Sequence, residues 1–376
     1  MAASTIESTH PEEHPYHQGL ASKWPLALDL AGSNQPCRLE GSIADLPVLG
    51  TLPPEIDGTF YRVMCDPFVP PHPSNVPIDG DGSISAFRVR GGRVDMRMAY
   101  VHTERYLLER RRGARLFGLY RNPFTHHPCV RAAVDSTANT NLVLWAGQLL
   151  ALKEVALPYA VDPHTLATRR RVHDNAFPFF PSEDGRMPAP DAKADYVRWE
   201  LDLSKPSDTQ IPDPQVILDV PTEFPRIDER FIAKRINIFW ADVFLPERSD
   251  GGKNIFHGLN ALAMHNHETG QTRFYYAGDD SLVQEPVFIP RSDDAVEGDG
   301  WVMAMVERRK ANRNDLVVID TREFEKAVAI VQLPLHVKAQ IHGNWVDAKD
   351  LGEWKSLVDE IPEMKISGKG ALEPLI

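Results

Sequence analysis

No stretch of this sequence approaches the run of about 20 apolar residues that a membrane-spanning helix requires. Residues 1–18 are polar and lack the apolar core of a secretory signal peptide. We therefore expect a cytoplasmic protein, with a disordered or extended tail over residues 1–45 and a second tail over 356–376. Peripheral contact between a membrane and an apolar surface patch stays open.

Cysteine is scarce, and basic charge is not in excess. Cys37, Cys65 and Cys129 lie far apart without a CxxC pair, which excludes a disulfide framework and a zinc ribbon. A net charge of -12 and a pI near 5.6 argue against a nucleic-acid partner. The one basic cluster, residues 108–115, is predicted to be a solvated turn.

Helical periodicity is also scarce, and most of the apolar pattern has period two. Residues 85–90 and 94–101, separated by Gly91-Gly92, predict a β-hairpin with a tight turn, and residues 142–145 and 149–153 predict another. Further strands are expected at residues 196–201, 259–264, 272–277, 302–306, 316–319 and 327–333. The pattern predicts an all-β protein.

Polar turns recur where predicted strands end, at Asp162, Asp202, Asn266 and Asp320. The mean spacing is about 50 residues, which is typical of β-propeller blades of four short strands. Turns of this composition also end strands in other antiparallel proteins. We predict one propeller domain over residues 46–355, with five or six blades.

A series of motifs runs along the chain in a fixed order. The first half contains Gly58-Thr59-Phe60-Tyr61-Arg62, Asp79-Gly80-Asp81-Gly82, residues 120–125, residues 137–141 and Ala151-Leu152-Lys153-Glu154. The second half contains residues 175–181, Glu223-Phe224-Pro225-Arg226-Ile227, residues 284–290 and Ile341-His342-Gly343-Asn344-Trp345-Val346. Together they resemble the carotenoid oxygenase family, most of all its lignostilbene- and resveratrol-cleaving branch.

The resemblance implies a seven-bladed β-propeller and a non-haem Fe(II) site with four histidine ligands. His342 lies in the motif of the last ligand. Glu154, Glu223 and Glu285 lie where the family places carboxylates that hold metal-bound histidines, and Glu285 is the expected partner of His342. Without the motif context, each would be read as a surface carboxylate, and His342 as a core histidine.

The order of motifs breaks near residues 169–175. The motif at Asp162 belongs to an early blade, whereas the next match, residues 175–181, belongs to the second half of the family pattern. In the family the intervening block carries the other three iron histidines. We predict that this block is absent, and one histidine cannot hold iron by itself.

Other histidines do not replace the absent ligands in the sequence pattern. His265 and His267 precede a predicted hairpin turn, and the adjacent His126 and His127 would point to opposite faces of a strand. His173 lies at the junction itself and would add one ligand. A different site built from His265, His267 and His257, for zinc or manganese, remains an alternative.

Tyr120 and Lys153 are the candidate substrate residues. In the stilbene-cleaving branch, a tyrosine and a lysine at these motif positions engage the phenol of a 4-hydroxystilbene. An ammonium and a hydroxyl can stabilise a developing phenolate. A strand-edge aromatic and a solvated amine are the alternative interpretation.

Two functions follow from the resemblance. The first is an Fe(II) dioxygenase that uses O2 to cleave the C=C bond of a stilbenoid or carotenoid-like substrate into two carbonyl products, with this sequence as a shortened form of the enzyme. The second is an iron-free pseudoenzyme or truncated gene product that binds hydrophobic polyphenols. The first predicts an additional in-frame segment near Arg171, and the second predicts ligand binding without oxygen uptake.

Overall fold

The computed structural model describes most of the chain from residue 35 to residue 353. The described residues are 35–171 without 73, 74, 77, 121, 131, 132, 134 and 155, then 195–198, 204–206, 212–245, 259–353, 355, 357 and 358. Antiparallel strands dominate this part, as the period-two pattern predicts. Parts of the predicted tails over 1–45 and 356–376, namely residues 1–34, 356 and 359–376, lie outside the described residues, as do His173, Asp202 and His257.

The strands form four antiparallel sheets. The first consists, in this order, of β1 (Gly41–Ile43), β5 (Arg93–Tyr100), β4 (Gly82–Arg90), β3 (Gly58–Cys65) and β20 (Gln340–Asp347). The second consists of β6 (Asn141–Trp145), β7 (Gln148–Lys153), β8 (Ala156–Val161) and β9 (Thr168–Arg171).

The third sheet consists, in this order, of β10 (Asp195–Arg198), β11 (Gln215–Ile227), β12 (Ile238–Val243), β13 (Ala261–Asn266) and β14 (Thr272–Tyr276). The fourth consists of β15 (Ser281–Val283), β17 (Gly300–Arg308), β18 (Arg313–Asp320), β19 (Ala327–Gln332) and β2 (Val48–Gly50), and β16 (Val287–Pro290) also pairs with β17. The sequence predicted five or six blades, and the described residues form these four sheets.

Alternate residues of one strand pack against different neighbouring sheets. Phe60 and Met64 of β3 belong to a core shared with the fourth sheet, whereas Tyr61 and Val63 belong to a core shared with the second sheet. The strand is therefore buried on both faces. Sheets packed face to face in this way are the geometry of propeller blades.

Strand β17 of the fourth sheet also packs against a different sheet on each face, and one of these is the third sheet. Trp301 and Met303 face the first sheet, and Val302 and Ala304 pack with Trp240 of the third sheet. The sheets therefore form a row in the order second, first, fourth, third. The remaining hydrophobic cluster found in the described residues is built from the third sheet alone.

The polar turns at Asp162, Asn266 and Asp320 each join two neighbouring strands of one sheet, β8 to β9, β13 to β14 and β18 to β19. Asp162 Oδ1 accepts hydrogen bonds from the N–H groups of His164 and Thr165 at 2.9 and 2.8 Å. Asn266 and Asp320 accept in the same way from N–H groups two or three residues ahead. The recurring Asp and Asn residues thus mark turns of the same kind, because a short side-chain acceptor can bond the N–H groups that follow the end of a strand.

Strands from opposite ends of the described chain pair with each other. β20 pairs with β3, and β19 pairs with β2, both antiparallel. Gly343 permits close packing here, because a Cβ atom at this position would lie 2.6 Å from the Phe60 ring. β1 pairs with β5, so the β domain includes at least residue 41 of the segment that was predicted to be a tail.

The basic cluster at residues 108–115 is not a solvated turn. It lies largely in a nine-residue helix, α1 (Glu104–Arg112), which begins at the N-cap Thr103 and ends at Gly113 in the left-handed conformation. Arg110, Arg111 and Arg112 occupy the last turn, where cations interact favourably with the helix dipole. Local helix-capping residues therefore explain the structure of this segment.

The thiols and the helices of the structure bear on two predictions made from composition. Cys37, Cys65 and Cys129 are all free thiols, as their spacing predicted. In the part of the chain that the structure describes, neither α1 nor any shorter helix combines the length and apolar character needed to cross a bilayer.

The Asp162 turn generates a stability prediction. Partial burial raises the pKa of the Asp162 carboxyl, but the N–H donors of Thr165 and His164 and the guanidinium of Arg169 outweigh burial and hold this pKa below its ordinary value. The Asp162 carboxylate therefore contributes fully to the free energy of unfolding above its unfolded-state pKa of about 4. This contribution is lost as the pH falls through the pKa of Asp162 in the folded state.

We expect Asp162→Ala to lower the free energy of unfolding by about 1–2 kcal/mol at pH 7. The difference from wild type should shrink when urea unfolding is repeated at about pH 2.5. Asp162→Asn keeps the acceptor oxygen and serves as the control, with a smaller loss. Equal stability of Asp162→Ala and wild type at pH 7 would contradict the role of this turn.

Candidate active site

Inner strands of several sheets meet around the end of β20. Asn344 donates from Nδ2 to Asn141 Oδ1 of β6 at 3.0 Å. Arg226 of β11 donates from Nη1 to the Gly343 carbonyl at 2.9 Å. Sequence positions more than 100 residues apart therefore converge beside His342, as the inner strands of a propeller do.

Glu285 holds His342, as the sequence predicted. Its Oε1 lies 2.9 Å from His342 Nδ1, and its Oε2 accepts the Gly343 N–H at 2.7 Å. An ionised carboxylate has no proton to donate, so Nδ1 is the donor, and in the neutral imidazole Nε2 then retains its lone pair. Carboxylates that hydrogen-bond metal-binding histidines, without binding the metal themselves, impose the same arrangement.

The pair lies at the boundary between interior and open space. The Glu285 side chain is 3% exposed, and that of His342 is 36% exposed. The Phe224 ring meets the imidazole edge-on, with ring centroids 5.7 Å apart. One edge of the imidazole is therefore fixed by protein groups, and the other remains accessible.

Arg226 supplies the positive charge that a buried carboxylate needs. Its Nη1 lies 3.2 Å from Glu285 Oε1, and its Nη2 donates to Glu229 at 2.6 Å and to Asn344 at 2.8 Å. The guanidinium thus connects β11 to β20 as well as to Glu285. Its role is to orient the carboxylate and balance its charge.

Asp242 is a site residue that sequence reasoning missed. Among the described residues, neither of its buried carboxyl oxygens has a hydrogen-bond partner. Burial raises its pKa well above the ordinary value, and the nearby charges of Glu285 and Glu223 raise it further. Burial and the neighbouring charges therefore favour the neutral form of the Asp242 carboxyl. Its only sequence signal is a charged residue within the apolar strand β12.

The other two predicted glutamates are exposed. Glu154 bonds Thr140 Oγ1 at 3.1 Å, and Glu223 accepts the N–H of its neighbour Phe224. No hydrogen bond or ion pair found within the described residues joins either glutamate to a histidine. The structure thus brings one of the three predicted glutamates into contact with a histidine.

Tyr120 and Lys153 are adjacent, although they lie 33 positions apart in the sequence. Lys153 Nζ is 4.9 Å from the centroid of the Tyr120 ring and donates to Asn139 Oδ1 at 3.1 Å. Glu154 Oε2 is 3.5 Å from the same ammonium, whose side chain is 4% exposed. The aromatic face and the carboxylate offset part of the cost of burying the ammonium.

The alternative histidines have other partners. His126 Nδ1 accepts the Gly118 N–H, and His127 Nδ1 lies beside Cys129. His265 bonds Thr272 across the β13–β14 hairpin and lies 5.0 Å, ring to ring, from His267. In the described part of the chain, no group of three or more His, Cys, Asp or Glu side chains could hold a metal. Neither a zinc nor an iron site is complete in these residues.

Antiparallel sheets packed face to face in a row, with a carboxylate-bound histidine on the end strand β20, fit the class of β-propeller proteins. The sequence model of the family described as RPE65, retinal pigment epithelial membrane protein, matches residues 34–180 and 171–347. The chain belongs to this family, the carotenoid oxygenases.

The relatives describe the activities of the family. A resveratrol cleavage oxygenase of Botryotinia fuckeliana is 48% identical over 525 aligned positions, covering 98% of this chain and 94% of the relative. The crystal structure of a Pseudomonas brassicacearum lignostilbene dioxygenase superposes with a TM-score of 0.79 at 27% identity, covering 87% of this chain and all of that one. A cobalt-substituted apocarotenoid oxygenase of Synechocystis shares the fold, with a TM-score of 0.68, 18% identity and coverage of 84% and 98%.

These similarities support the cleavage of C=C bonds as the activity of the family, and they do not favour the iron-free alternative. The alignment also has more positions than this chain has residues. Its 525 positions exceed the 376 residues of the chain by 149, so at least 149 positions have no counterpart here. The two segments of the family match meet at residues 171–180, where the order of motifs breaks.

Substitution of Glu285 should destabilise the fold more than substitution of Glu223. Glu285→Ala leaves Arg226 without its buried partner and the Gly343 N–H without an acceptor. We expect a loss of about 3 kcal/mol in the free energy of unfolding. Denaturant unfolding at pH 7 measures the change.

The matched control is Glu223→Ala, which removes an exposed carboxylate and should change stability by about 0.5 kcal/mol or less. Similar values for the two variants would show that Glu285 does not organise the inner strands.

Proposed function

We propose that this protein, in a form with a complete propeller, is an Fe(II)-dependent dioxygenase that cleaves the central C=C bond of a hydroxystilbene. The observation that carries the proposal is the buried Lys153 ammonium against the Tyr120 ring, in a family whose members include stilbene-cleaving oxygenases. The reaction adds O2 across the bond and gives two carbonyl products. The partners are thus a small phenolic substrate and O2.

Lys153 and Tyr120 are the groups that would bind the phenol. The ammonium can donate to the phenol oxygen and stabilise negative charge as it develops there. Electron density released from a phenolate favours attack of oxygen on the conjugated alkene. Burial strengthens this effect, because water does not screen the charge. Glu154 Oε2, which lies 3.5 Å from the Lys153 ammonium, balances its positive charge.

Fe(II) does not fit the described residues, because His342 is the one member of the family ligand set among them. Oxygen chemistry therefore belongs to a form that carries the absent block. The row of sheets supports this proposal. Its two end sheets are the second and the third, and they flank the junction between β9 and β10. In the described residues no hydrophobic cluster joins these two sheets.

The size of the gap agrees with the same proposal. At about 50 residues a blade, 149 absent positions correspond to about three blades. Added to the four sheets, they would complete the seven blades that the family resemblance implies. The exposed Glu154 and Glu223 are then positions whose histidine partners lie in the absent block. Cytoplasmic location and peripheral membrane contact remain predictions.

Sequencing of the transcript and gene across codons 166–180 tests the absence. We expect an in-frame segment of about 150 residues with three further histidines. A colinear gene and transcript would contradict the shortened-form proposal.

The form that carries the block should cleave trans-4-hydroxystilbene into two aldehydes, measured by chromatography with oxygen uptake. Lys153→Met should lower kcat/KM for this substrate by about 100-fold or more. Lys310→Met is the control, because Lys310 is exposed on the turn between β17 and β18, and it should leave the rate unchanged. Equal rates for wild type and Lys153→Met would contradict the proposed role of the lysine.

A further inference from the structure

The segment that carries Tyr120 is held by side chains and not by a strand or helix. Five consecutive backbone N–H groups, those of residues 116–120, each donate to a side-chain acceptor. The first two bond Glu109 Oε1 at 2.8 and 2.9 Å, and the next three bond His126 Nδ1 at 2.8 Å, Thr125 Oγ1 at 2.8 Å and Asn75 Oδ1 at 2.9 Å. Such a series fixes the backbone up to Tyr120 itself.

Arg105 connects the supports of this segment. Its guanidinium bonds Asp79 at 2.8 and 3.2 Å and Asp135 at 2.9 Å, and its side chain is 6% exposed. Asp79 accepts from Asn75, and Asp135 lies 3.1 Å from His126 Nε2. Arg105 therefore orients two of the acceptors, Asn75 and His126, indirectly through Asp79 and Asp135.

Helix α1 contributes two side chains that hold the segment 116–120, Arg105 and Glu109. Arg105 and Glu109 are four residues apart and so lie on the same face of the helix. Glu109 binds the segment directly, and Arg105 binds the carboxylates that hold its other acceptors. Phe117 is fully buried between the Arg105 guanidinium and the His126 ring, with its centroid 5.5 Å from Arg105 Cζ and 5.1 Å from the ring centroid.

We propose that Asn75, supported by the Asp79–Arg105 ion pair, positions Tyr120 against Lys153 and thereby determines selectivity for a phenol over an unsubstituted ring. Asn75 is a positioning residue, because it bonds the Tyr120 backbone and not the substrate. The proposal rests on the proposed function, since it assigns Tyr120 and Lys153 to phenol binding. It requires no metal.

Binding measurements on the 376-residue chain test this inference. The probes are trans-4-hydroxystilbene and trans-stilbene, with dissociation constants taken from quenching of tryptophan fluorescence. Loss of one positioning hydrogen bond should raise the dissociation constant for hydroxystilbene about tenfold in Asn75→Ala. The value for stilbene should stay within about twofold, whereas general loosening of the fold would weaken both ligands.

A double-mutant cycle with Lys153→Met separates positioning from general destabilisation. If Asn75 acts through the Tyr120–Lys153 pair, Asn75→Ala should have no further effect on selectivity in the Lys153→Met background. Thr125→Val, at an exposed position that holds the Leu119 N–H, should lower selectivity in the same direction and remains testable if Asn75→Ala does not fold. Asn237→Ala, which removes the half-buried asparagine directly before β12, should change neither constant.

The outcomes distinguish the two proposals. A wild-type chain that binds both probes equally, or neither, overturns phenol recognition by Lys153 and Tyr120 and the positioning role with it. A selective wild type with equally selective Asn75→Ala and Thr125→Val variants overturns the positioning role alone. The positioning role is supported if Asn75→Ala lowers the selectivity for hydroxystilbene over stilbene in the wild-type background and has no such effect in the Lys153→Met background.

Discussion

The centre of the structure depends on the buried carboxylate of Glu285. It accepts from His342 Nδ1 and from the Gly343 N–H, and Arg226 neutralises its charge from a different sheet. One side chain thereby joins the β15–β16 connection to β20 and β11 and selects the tautomer that leaves Nε2 of His342 accessible. Burial raises the pKa of the nearby Asp242 carboxyl well above its ordinary value, and the charges of Glu285 and Glu223 raise it further, which favours its neutral form.

The proposed phenol recognition and metal binding place different demands on the structure. The proposed phenol site would need few groups, and Lys153, Tyr120, Asn139 and Glu154 are already in contact. Metal binding needs several ligands held together, and within the described residues His342 has no companion ligands. The row of four sheets has its two ends at the β9–β10 junction. Under the proposal that a block is absent at this junction, the same absence would explain both the two ends of the row and the unaccompanied histidine.

The sequence predicted features that depend on local pattern or motif. The hairpins around Gly91-Gly92 and Gly147 agree with the structure, because alternation and glycine turns are local signals. Pairing of Glu285 with His342 followed from motif context. Helix α1 was missed because its apolar face is small, and it is stabilised by caps and by buried ion pairs to residues distant in sequence. Asp242 and the support of residues 116–120 also depend on contacts between distant segments, which periodicity does not reveal.

Metal stoichiometry of two purified forms tests the central claim most directly. The 376-residue chain and the form with the in-frame block would be loaded anaerobically with Fe(II), desalted and analysed for iron. The account predicts about one iron per chain in the longer form, lost in His342→Ala, and almost none in the 376-residue chain with or without that substitution. Stoichiometric iron in the 376-residue chain that persists in His342→Ala would contradict it.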